Sequence, residues 1–316
     1  MEKTSSEERM KFLRDEISRL KKEKNALIMA HYYQREEIQE IADFIGDSLA
    51  LARQAAKTDA DVIVMCGVHF MGETAKILCP DKVVLVPDLE AGCSLADSCP
   101  PDKFEEFVKE HPDHTVVSYV NTSAAVKALT DIVVTSGNAR QIIEQLPEDE
   151  KIIFGPDHNL GEYINSVTGR NMLLWKGACH VHYRFSLQKI LEMKNEHPGA
   201  KILVHPECQR PLQLIADKVG STAALLQYAQ TDDAKEYIVV TESGILFEMR
   251  RKCPGKTLLA APAEDAECQC NECDFMKLNT LEKVYTALRD GQPEILVEKE
   301  TAEKALRPIE RMLAMS

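Results

Sequence analysis

The stretch IADFIGDS, residues 41–48, recurs as IADKVGST at residues 215–222. Both copies keep Ile-Ala-Asp, a glycine three residues after the aspartate, and a hydroxyl-bearing residue two positions after the glycine. A more distant copy has Asp131 and Ser136 at the same separation of five residues. Self-similarity at a long, regular period is typical of chains built from duplicated units. The stretch therefore predicts an internal threefold repeat.

Each copy follows a short apolar run that ends in polar residues. The runs, at 26–30, 116–117 and 202–204, lead to His31, Tyr119 and His205, which are 88 and 86 residues apart. Counted from these anchors, aspartate falls at +12 and Ser or Thr at +17 in every repeat. Short apolar runs bounded by polar residues are typical of buried parallel strands. The three repeats share the aspartate at +12 and the hydroxyl at +17 without any insertion or deletion. This agreement favours duplication over a chance similarity between α/β units.

The same order of elements follows in each repeat. Further apolar runs occur at 62–65, 152–154 and 237–240, and again at 83–86, 172–175 and 257–260, with amphipathic segments between them. Alternation of strands and helices predicts parallel sheets covered by helices on both faces. We therefore predict an α/β fold of three homologous αβα units with small parallel sheets, arranged about a pseudo-threefold axis. The predicted boundaries are an N-terminal helix at 1–22, repeats at 23–111, 112–198 and 199–291, and a C-terminal helical tail at 292–316.

Charge and hydropathy exclude several classes of partner. The chain has 51 acidic and 38 basic residues, a net charge of −13, which argues against nucleic acid or an anionic membrane surface as a partner. No apolar run approaches the roughly 18 residues of a membrane span. Residues 1–24 lack the apolar core of a signal peptide, and their apolar residues at 10, 13, 17 and 20 have helical spacing. We expect a cytoplasmic protein whose first helix covers a core or an oligomer contact.

The hydroxyls at +17 allow two interpretations. Ser48, Ser136 and Thr222 each precede a predicted helix, beyond the carboxyl end of a strand, where open parallel sheets bind ligands. They could be ordinary N-caps. Alternatively, three helix N-termini could converge on an anion, which free N–H groups and the helix dipole stabilise. The recurrence of the hydroxyl in every repeat favours the anion site.

Cysteine is abundant for a protein of a reducing compartment, where disulfides are not expected. After the last strand of each repeat comes a cysteine: Cys93, Cys179, and the group Cys268, Cys270 and Cys273. The other five are predicted to be small buried apolar residues: Cys66, Cys79, Cys99, Cys208 and Cys253.

Converging thiolates bind zinc or iron–sulfur clusters. Structural zinc sites usually show local pairs of ligands, whereas Cys93 and Cys179 stand alone, 86 residues apart. One cysteine from each repeat suits a [4Fe–4S] cluster with one open iron, which is a Lewis acid able to bind a substrate hydroxyl or carboxylate.

Several short blocks of the chain occur together, in this order, in one enzyme family. They are AHYYQ (30–34), GDSL (46–49), YVN (119–121), FGPD (154–157) with NLG (159–161), HPEC (205–208), VGST (219–222) and MKLNTLE (276–282). In these blocks the chain closely resembles the quinolinate synthases. The resemblance implies condensation of iminoaspartate with dihydroxyacetone phosphate to quinolinate, with loss of phosphate and water, in NAD biosynthesis. It also implies a [4Fe–4S] cluster, a fold of three αβα units, and an iminoaspartate-producing enzyme as a possible partner.

The resemblance also implies roles for single residues. The cluster ligands would be Cys93, Cys179 and Cys273. Proton transfer would fall to Glu207, His31, Tyr33 and Tyr119, because imine and enediol chemistry needs positioned acids and bases. The implied substrate-binding residues are His31, Ser48, Tyr119, Asn121, Ser136, His205, Glu207, Ser221 and Thr222.

The third ligand is open to two interpretations. His31 to Cys93 is 62 residues and Tyr119 to Cys179 is 60, so the 63 residues from His205 to Cys268 favour Cys268. Family members with a single cysteine in this segment favour Cys273, which keeps its distance to the block beginning at Met276. The sequence CQCNEC at 268–273 departs from the family's usual patterns, a single cysteine or C-x-x-C-x-x-C. Two rival functions stay open: an iron–sulfur redox sensor, and a metal-bound module for a small ligand.

Overall fold

The computed structural model describes residues 2–264 and 271–316, and within these ranges the strands form three four-stranded sheets. All strand pairs in the sheets are parallel. Each sheet has its strands in the chain order second, first, third, fourth. Helices connect consecutive strands, so the α/β fold of αβα units is confirmed.

The first sheet follows a long N-terminal helix. In chain order the elements are α1 Glu2–Glu23, β1 Ala26–His31, α2 Glu36–Ile41, β2 Phe44–Gly46, α3 Ser48–Ala55, β3 Val62–Cys66, α4 His69–Leu78 and β4 Val83–Leu85, then α5 Ser94–Asp97 and α6 Pro101–Lys109.

The second sheet repeats the pattern. Its elements are β5 Thr115–Tyr119, α7 Ala124–Lys127, β6 Ile132–Val134, α8 Ala139–Glu144, β7 Ile152–Gly155, α9 His158–Thr168 and β8 Leu173–Leu174, then α10 His180–Tyr183 and α11 Leu187–Glu196.

The third sheet and the tail complete the described chain. Their elements are β9 Lys201–Val204, α12 Arg210–Leu214, β10 Lys218–Val219, α13 Thr222–Thr231, β11 Glu236–Val240, α14 Ile245–Lys252, β12 Thr257–Ala260, a 3₁₀ turn Met276–Leu278, α15 Leu281–Asp290 and α16 Lys299–Ala314.

The repeated aspartate at +12 has a structural role. Asp43 accepts a hydrogen bond from the backbone N–H of Ile28 (2.9 Å), and its own backbone N–H donates to the Ile28 carbonyl (2.8 Å). The same double contact joins Asp131 to Val116 and Asp217 to Ile202. The aspartate therefore ties the residue just before each second strand to the first half of the first strand, and this structural role explains its recurrence without a catalytic one.

The chain divides into two compact units, Met1–Cys93 with Asp274–Ala302, and Ser94–Cys273 with Glu303–Ser316. In the first unit, α1 buries Leu13, Ile17 and Leu20 in a core to which α15 also contributes. This confirms the prediction that the first helix covers a core. The second unit holds the other two sheets. The repeat boundaries and the pseudo-threefold arrangement stay predictions.

Among the described residues, none of the helices combines the length and the apolar character that a bilayer span requires.

Candidate functional site

Two strand ends of the second unit bring Tyr119 and Glu207 together. Tyr119 is the last residue of β5, and Glu207 lies in the turn after β9. The Tyr119 hydroxyl donates to Oε1 of Glu207 at 2.5 Å, and both side chains are buried. The polar residues that we predicted beyond two different strands therefore do meet, 88 positions apart in sequence.

His182 holds the other oxygen of this carboxylate. Its Nδ1 lies 2.9 Å from Glu207 Oε2 and 3.3 Å from the sulfur of Cys179, and its Nε2 lies 2.9 Å from the Thr241 hydroxyl. We assign the Nδ1 proton to the contact with Glu207 because a carboxylate can only accept. The sequence interpretation missed His182, although its position three residues after Cys179 is a usual spacing for metal ligands.

The charge of Glu207 is set by this surrounding. Burial alone would raise the pKa of Glu207, but the His182 and His205 imidazoles, with the hydrogen bonds from His182 and Tyr119, hold it well below its usual range. A neighbouring acid behaves in the opposite way. Burial, and then the charge of Glu207, raise the pKa of Asp157 well above its usual value. The surroundings thus favour the ionised form of Glu207 and the protonated form of Asp157.

The rings of His31, the last residue of β1, and His205, the first residue after β9, are oriented in the same way. The backbone N–H of Tyr33 donates to Nδ1 of His31 (3.2 Å), and that of Glu207 donates to Nδ1 of His205 (3.4 Å). Because Nδ1 accepts, we place the ring proton on Nε2 in both. The Nε2 of His205 lies 3.2 Å from the hydroxyl of Ser136. Each imidazole is therefore oriented as a donor, which suits an anionic oxygen.

The interpretation of the +17 hydroxyls as helix caps is wrong. The cap of α3 is Asp47, which accepts from Ala50 N at 3.0 Å, and the cap of α13 is Ser221, which accepts from Ala224 N at 3.3 Å. Ser48 and Thr222 are instead the first helical residues. The hydroxyls of Ser48 and Thr222 therefore do not cap these helices. The hydroxyl of Ser221, a predicted substrate-binding residue, does cap α13.

Asn121 offers a buried acceptor. It lies two residues beyond the end of β5, and among the described residues its Oδ1 has no hydrogen-bond partner. A buried acceptor that lacks a donor costs about 1–3 kcal/mol. A ligand with an N–H or O–H group at this position would satisfy it.

The five cysteines predicted to be buried are buried, and their thiols are poor ligands. Burial raises the pKa of Cys66 and that of Cys99 to about 12, and it raises the pKa of Cys208 well above its usual value. Burial also raises the pKa of Cys79 and of Cys253. Because metals bind the thiolate, these side chains are unsuited to a cluster.

The three candidate ligands differ from that group. Cys93, Cys179 and Cys273 are only partly buried. Cys179 immediately precedes α10, and the backbone N–H of Cys273 donates to Oε1 of the buried Glu242 at 3.0 Å. Cys268 and Cys270 lie outside the described residues.

Sulfur, nitrogen and oxygen donors converge at one point of the second unit. The ligand atoms of Cys179, His182 and Glu207 lie within 4.8 Å of one another and could hold a metal. Of the other predicted residues, His31, Tyr33 and Ser48 belong to the first unit, where the rings of His31 and Tyr33 meet edge to face at 4.5 Å.

Comparison with known proteins gives one consistent family. The family model described as Quinolinate synthetase A protein matches residues 15–314. The quinolinate synthase of Thermosynechococcus vestitus is 57% identical over 300 residues, which cover 95% of this chain and 94% of that protein. The quinolinate synthase of Chloroherpeton thalassium is 55% identical over 302 residues, 96% of this chain and 94% of that protein. The one from Nostoc is 56% identical over 300 residues, 95% of this chain and 92% of that protein.

Proposed function

The chain belongs to the quinolinate synthase family and is therefore an enzyme, and we propose that it condenses iminoaspartate with dihydroxyacetone phosphate to quinolinate, releasing phosphate and water. The observation that carries this proposal is the buried Glu207 carboxylate, held by Tyr119 and His182 beside the Cys179 sulfur. An ionised base with an adjacent hydroxyl and imidazole is the arrangement that repeated proton transfers need.

We propose that Cys93, Cys179 and Cys273 hold a [4Fe–4S] cluster. The donor chemistry fits, because these are the partly buried thiols among the described cysteines, whereas the five buried ones are held protonated. When bound, such a cluster would supply a Lewis-acidic iron for a substrate hydroxyl or carboxylate. The choice of Cys273 over Cys268 follows the family register.

Glu207 would act as the general base. Its carboxylate is ionised at neutral pH and is oriented by two donors, which lower its pKa and so also make it a weaker base. A proton taken up by the carboxylate could pass to the Tyr119 oxygen only as that hydroxyl gives its own proton to the substrate, so the pair would act as a proton relay. His31 and Tyr33 are the further proton carriers that we propose.

Both proposed substrates are anionic, and the proposed shell is rich in neutral donors. The Nε2–H groups of His31 and His205 and the hydroxyls of Ser48, Ser136 and Thr222 would bind carboxylate or phosphate oxygens. Asn121 would accept from a substrate N–H or O–H. Ser221, as a cap, would act on substrate only through the backbone that it fixes.

A second candidate function is a metal-bound module for a small ligand, which the convergence of Cys179, His182 and Glu207 favours. Both Glu207 oxygens already accept hydrogen bonds, and His182 Nδ1 donates to one of them, so a single metal ion would have to break these bonds. A redox sensor would need the cluster without the polar shell. Metal and sulfide analysis of anaerobically purified protein decides: iron and sulfide in the ratio of a [4Fe–4S] cluster support the proposal, and zinc would overturn it.

The setting of the reaction is also a proposal. We propose a cytoplasmic enzyme of NAD biosynthesis that receives iminoaspartate from the enzyme that produces it. Quinolinate formation by the two proteins mixed, compared with that from supplied iminoaspartate, tests the delivery.

A further inference from the structure

A buried donor recurs at +8 in every repeat. Gln39, Lys127 and Gln213 follow His31, Tyr119 and His205 by eight residues and are 1%, 0% and 6% exposed. None of the three belongs to the substrate shell or to the cluster ligands described above.

Each of these side chains donates hydrogen bonds to the backbone carbonyls at +1 and +3 of its own repeat. Gln39 Nε2 donates to Tyr32 O (3.1 Å) and Gln34 O (2.9 Å). The Lys127 ammonium donates to Val120 O (2.8 Å) and to Thr122 O. Gln213 Nε2 donates to Pro206 O (2.9 Å) and Cys208 O (2.8 Å). A chemically different residue thus makes the same pair of bonds in the second repeat.

The two carbonyls bracket the residue at +2. That residue is Tyr33, Asn121 or Glu207, and the residue at +0 is His31, Tyr119 or His205. All six belong to the proposed active site. The donor at +8 therefore holds the turn that carries two site residues in each repeat.

The local fold explains why the donor reaches this turn. The short helices α2, α7 and α12 each begin at +5, with Glu36, Ala124 and Arg210. The residue at +7 is apolar and buried in each, which fixes the helix to the core: Ile38, Val126 and Leu212. The residue at +8 is then directed to the turn, and its paired donors avoid the cost of burying a polar group.

We propose that Gln39, Lys127 and Gln213 are positioning residues that fix the site-bearing turns, and that Lys127 in this way sets the Tyr119 hydroxyl against Glu207. The catalytic consequence rests on the proposed function. In the first and third repeats the backbone N–H at +3 also closes the turn to the carbonyl at +0 (3.0 Å each). In the second repeat the Thr122 hydroxyl makes that bond to Tyr119 O (3.1 Å), and the Thr122 N–H bonds to Val120 O (2.8 Å).

The test uses Lys127→Met, which removes the donors and leaves an unbranched side chain one atom shorter. The matched control is Lys256→Met. Lys256 also binds two backbone carbonyls, Ala229 O and Asp232 O at 2.5 Å each, but it precedes β12 and lies outside the site. The rescue variant is Lys127→Gln, which installs the residue that the other repeats use.

We expect Lys127→Met to lower kcat about 10²-fold, the effect of a small misplacement of a catalytic group, with KM and the cluster absorption near wild type. Backbone amide exchange in residues 119–123 should rise in Lys127→Met alone. Lys256→Met should lose stability without losing kcat, and Lys127→Gln should recover most of the rate. Equal kcat losses in Lys127→Met and Lys256→Met, or no recovery in Lys127→Gln, would overturn the proposal.

A substitute variant and a readout independent of activity complete the test. If Lys127→Met does not fold, Gln213→Leu takes its place, with the same expectations for the turn at 205–208 and the same control. If the wild-type protein makes no quinolinate, the proposed function fails. Amide exchange at 119–123 still decides whether Lys127 holds the turn through Val120 O and Thr122 O.

Discussion

Glu207 is the residue on which the proposed chemistry depends most. Replacing it with Gln keeps its shape but removes the negative charge that His182 and His205 stabilise. A positioned base contributes about 10²–10⁴ in rate, so we expect Glu207→Gln to lose that much kcat while retaining the cluster. The measurement is turnover together with the visible absorption of the cluster.

The control for Glu207→Gln is Glu248→Gln. Glu248 is also buried, and it pairs with Arg251 on α14 instead of binding site residues. Its variant should keep wild-type turnover. Turnover of Glu207→Gln within threefold of wild type, a difference far smaller than about 10², would remove Glu207 from proton transfer.

The hydroxyls at +17 and the caps at +16 can be separated by mutation. Ser48→Ala and Thr222→Val should raise KM, because a hydrogen bond to a charged group is worth about 1.5–3 kcal/mol, and should leave Tm unchanged. Asp47→Ala and Ser221→Ala remove caps and should lower stability by about 0.5–2 kcal/mol. Thermal unfolding and steady-state kinetics on the four variants give both numbers.

Ser136 belongs to the same group but contacts His205 directly. Ser136→Ala should therefore raise KM in the same way. A fall in Tm with unchanged KM in the +17 variants would contradict the anion-binding role and give these hydroxyls a structural role instead.

At the scale of the element, Asp157 caps the N-terminus of α9 and makes the stability of the fold depend on pH. Its Oδ1 accepts from Leu160 N at 2.7 Å, a bond that a neutral acid or an amide makes equally well. Burial raises its pKa in the folded protein, so the unfolded chain ionises first as pH rises. The contribution of Asp157 to stability is therefore complete below the unfolded pKa of about 3.9 and is lost as pH increases towards the folded pKa.

Asp157→Asn removes this titration and keeps the cap. We expect the variant to gain stability relative to wild type as pH rises from 4 to 8, measured as the difference in Tm at each pH. Asp157→Ala, which loses the cap, should be destabilised by about 0.5–2 kcal/mol at low pH. A Tm difference between wild type and Asp157→Asn that does not change with pH would show that Asp157 titrates normally.

The elements themselves were largely predictable, because buried parallel strands are continuous apolar runs. The run at 257–260 is β12 Thr257–Ala260, and the run at 62–65 is β3 Val62–Cys66. The run at 172–175 is an exception, since only Leu173–Leu174 pair as a strand. Hydropathy cannot distinguish a paired residue from an apolar neighbour that lies beyond the ladder.

The contacts within the site were less predictable, because they join residues distant in sequence. The anchors and +17 hydroxyls could be found by counting along the repeat. The His182 contact with Glu207 could not, since it depends on how α10 packs on the turn after β9. The +8 donors have a fixed position in the repeat, but a Lys and two Gln show no common identity until their shared carbonyl contacts are visible.

At the scale of the whole molecule, the cysteines divide into structural thiols and proposed ligands. We expect Ala variants of Cys93, Cys179 and Cys273 to lose the cluster, while Cys268→Ala and Cys270→Ala retain it. Cys99→Ala is the control, because Cys99 is buried and protonated. The measurement is iron and sulfide content under anaerobic conditions. A full cluster in Cys273→Ala together with its loss in Cys268→Ala would show that the repeat spacing identifies the third ligand.

The central claim is that this enzyme forms quinolinate at a cluster-bearing site built around Glu207. The most direct test is anaerobic reconstitution with iron and sulfide, followed by incubation with iminoaspartate and dihydroxyacetone phosphate and detection of quinolinate. We predict quinolinate and phosphate in equal amounts from the reconstituted protein, and neither from protein whose cluster has been removed. Reconstituted protein that carries the full cluster and still forms no quinolinate from the two substrates would contradict the claim.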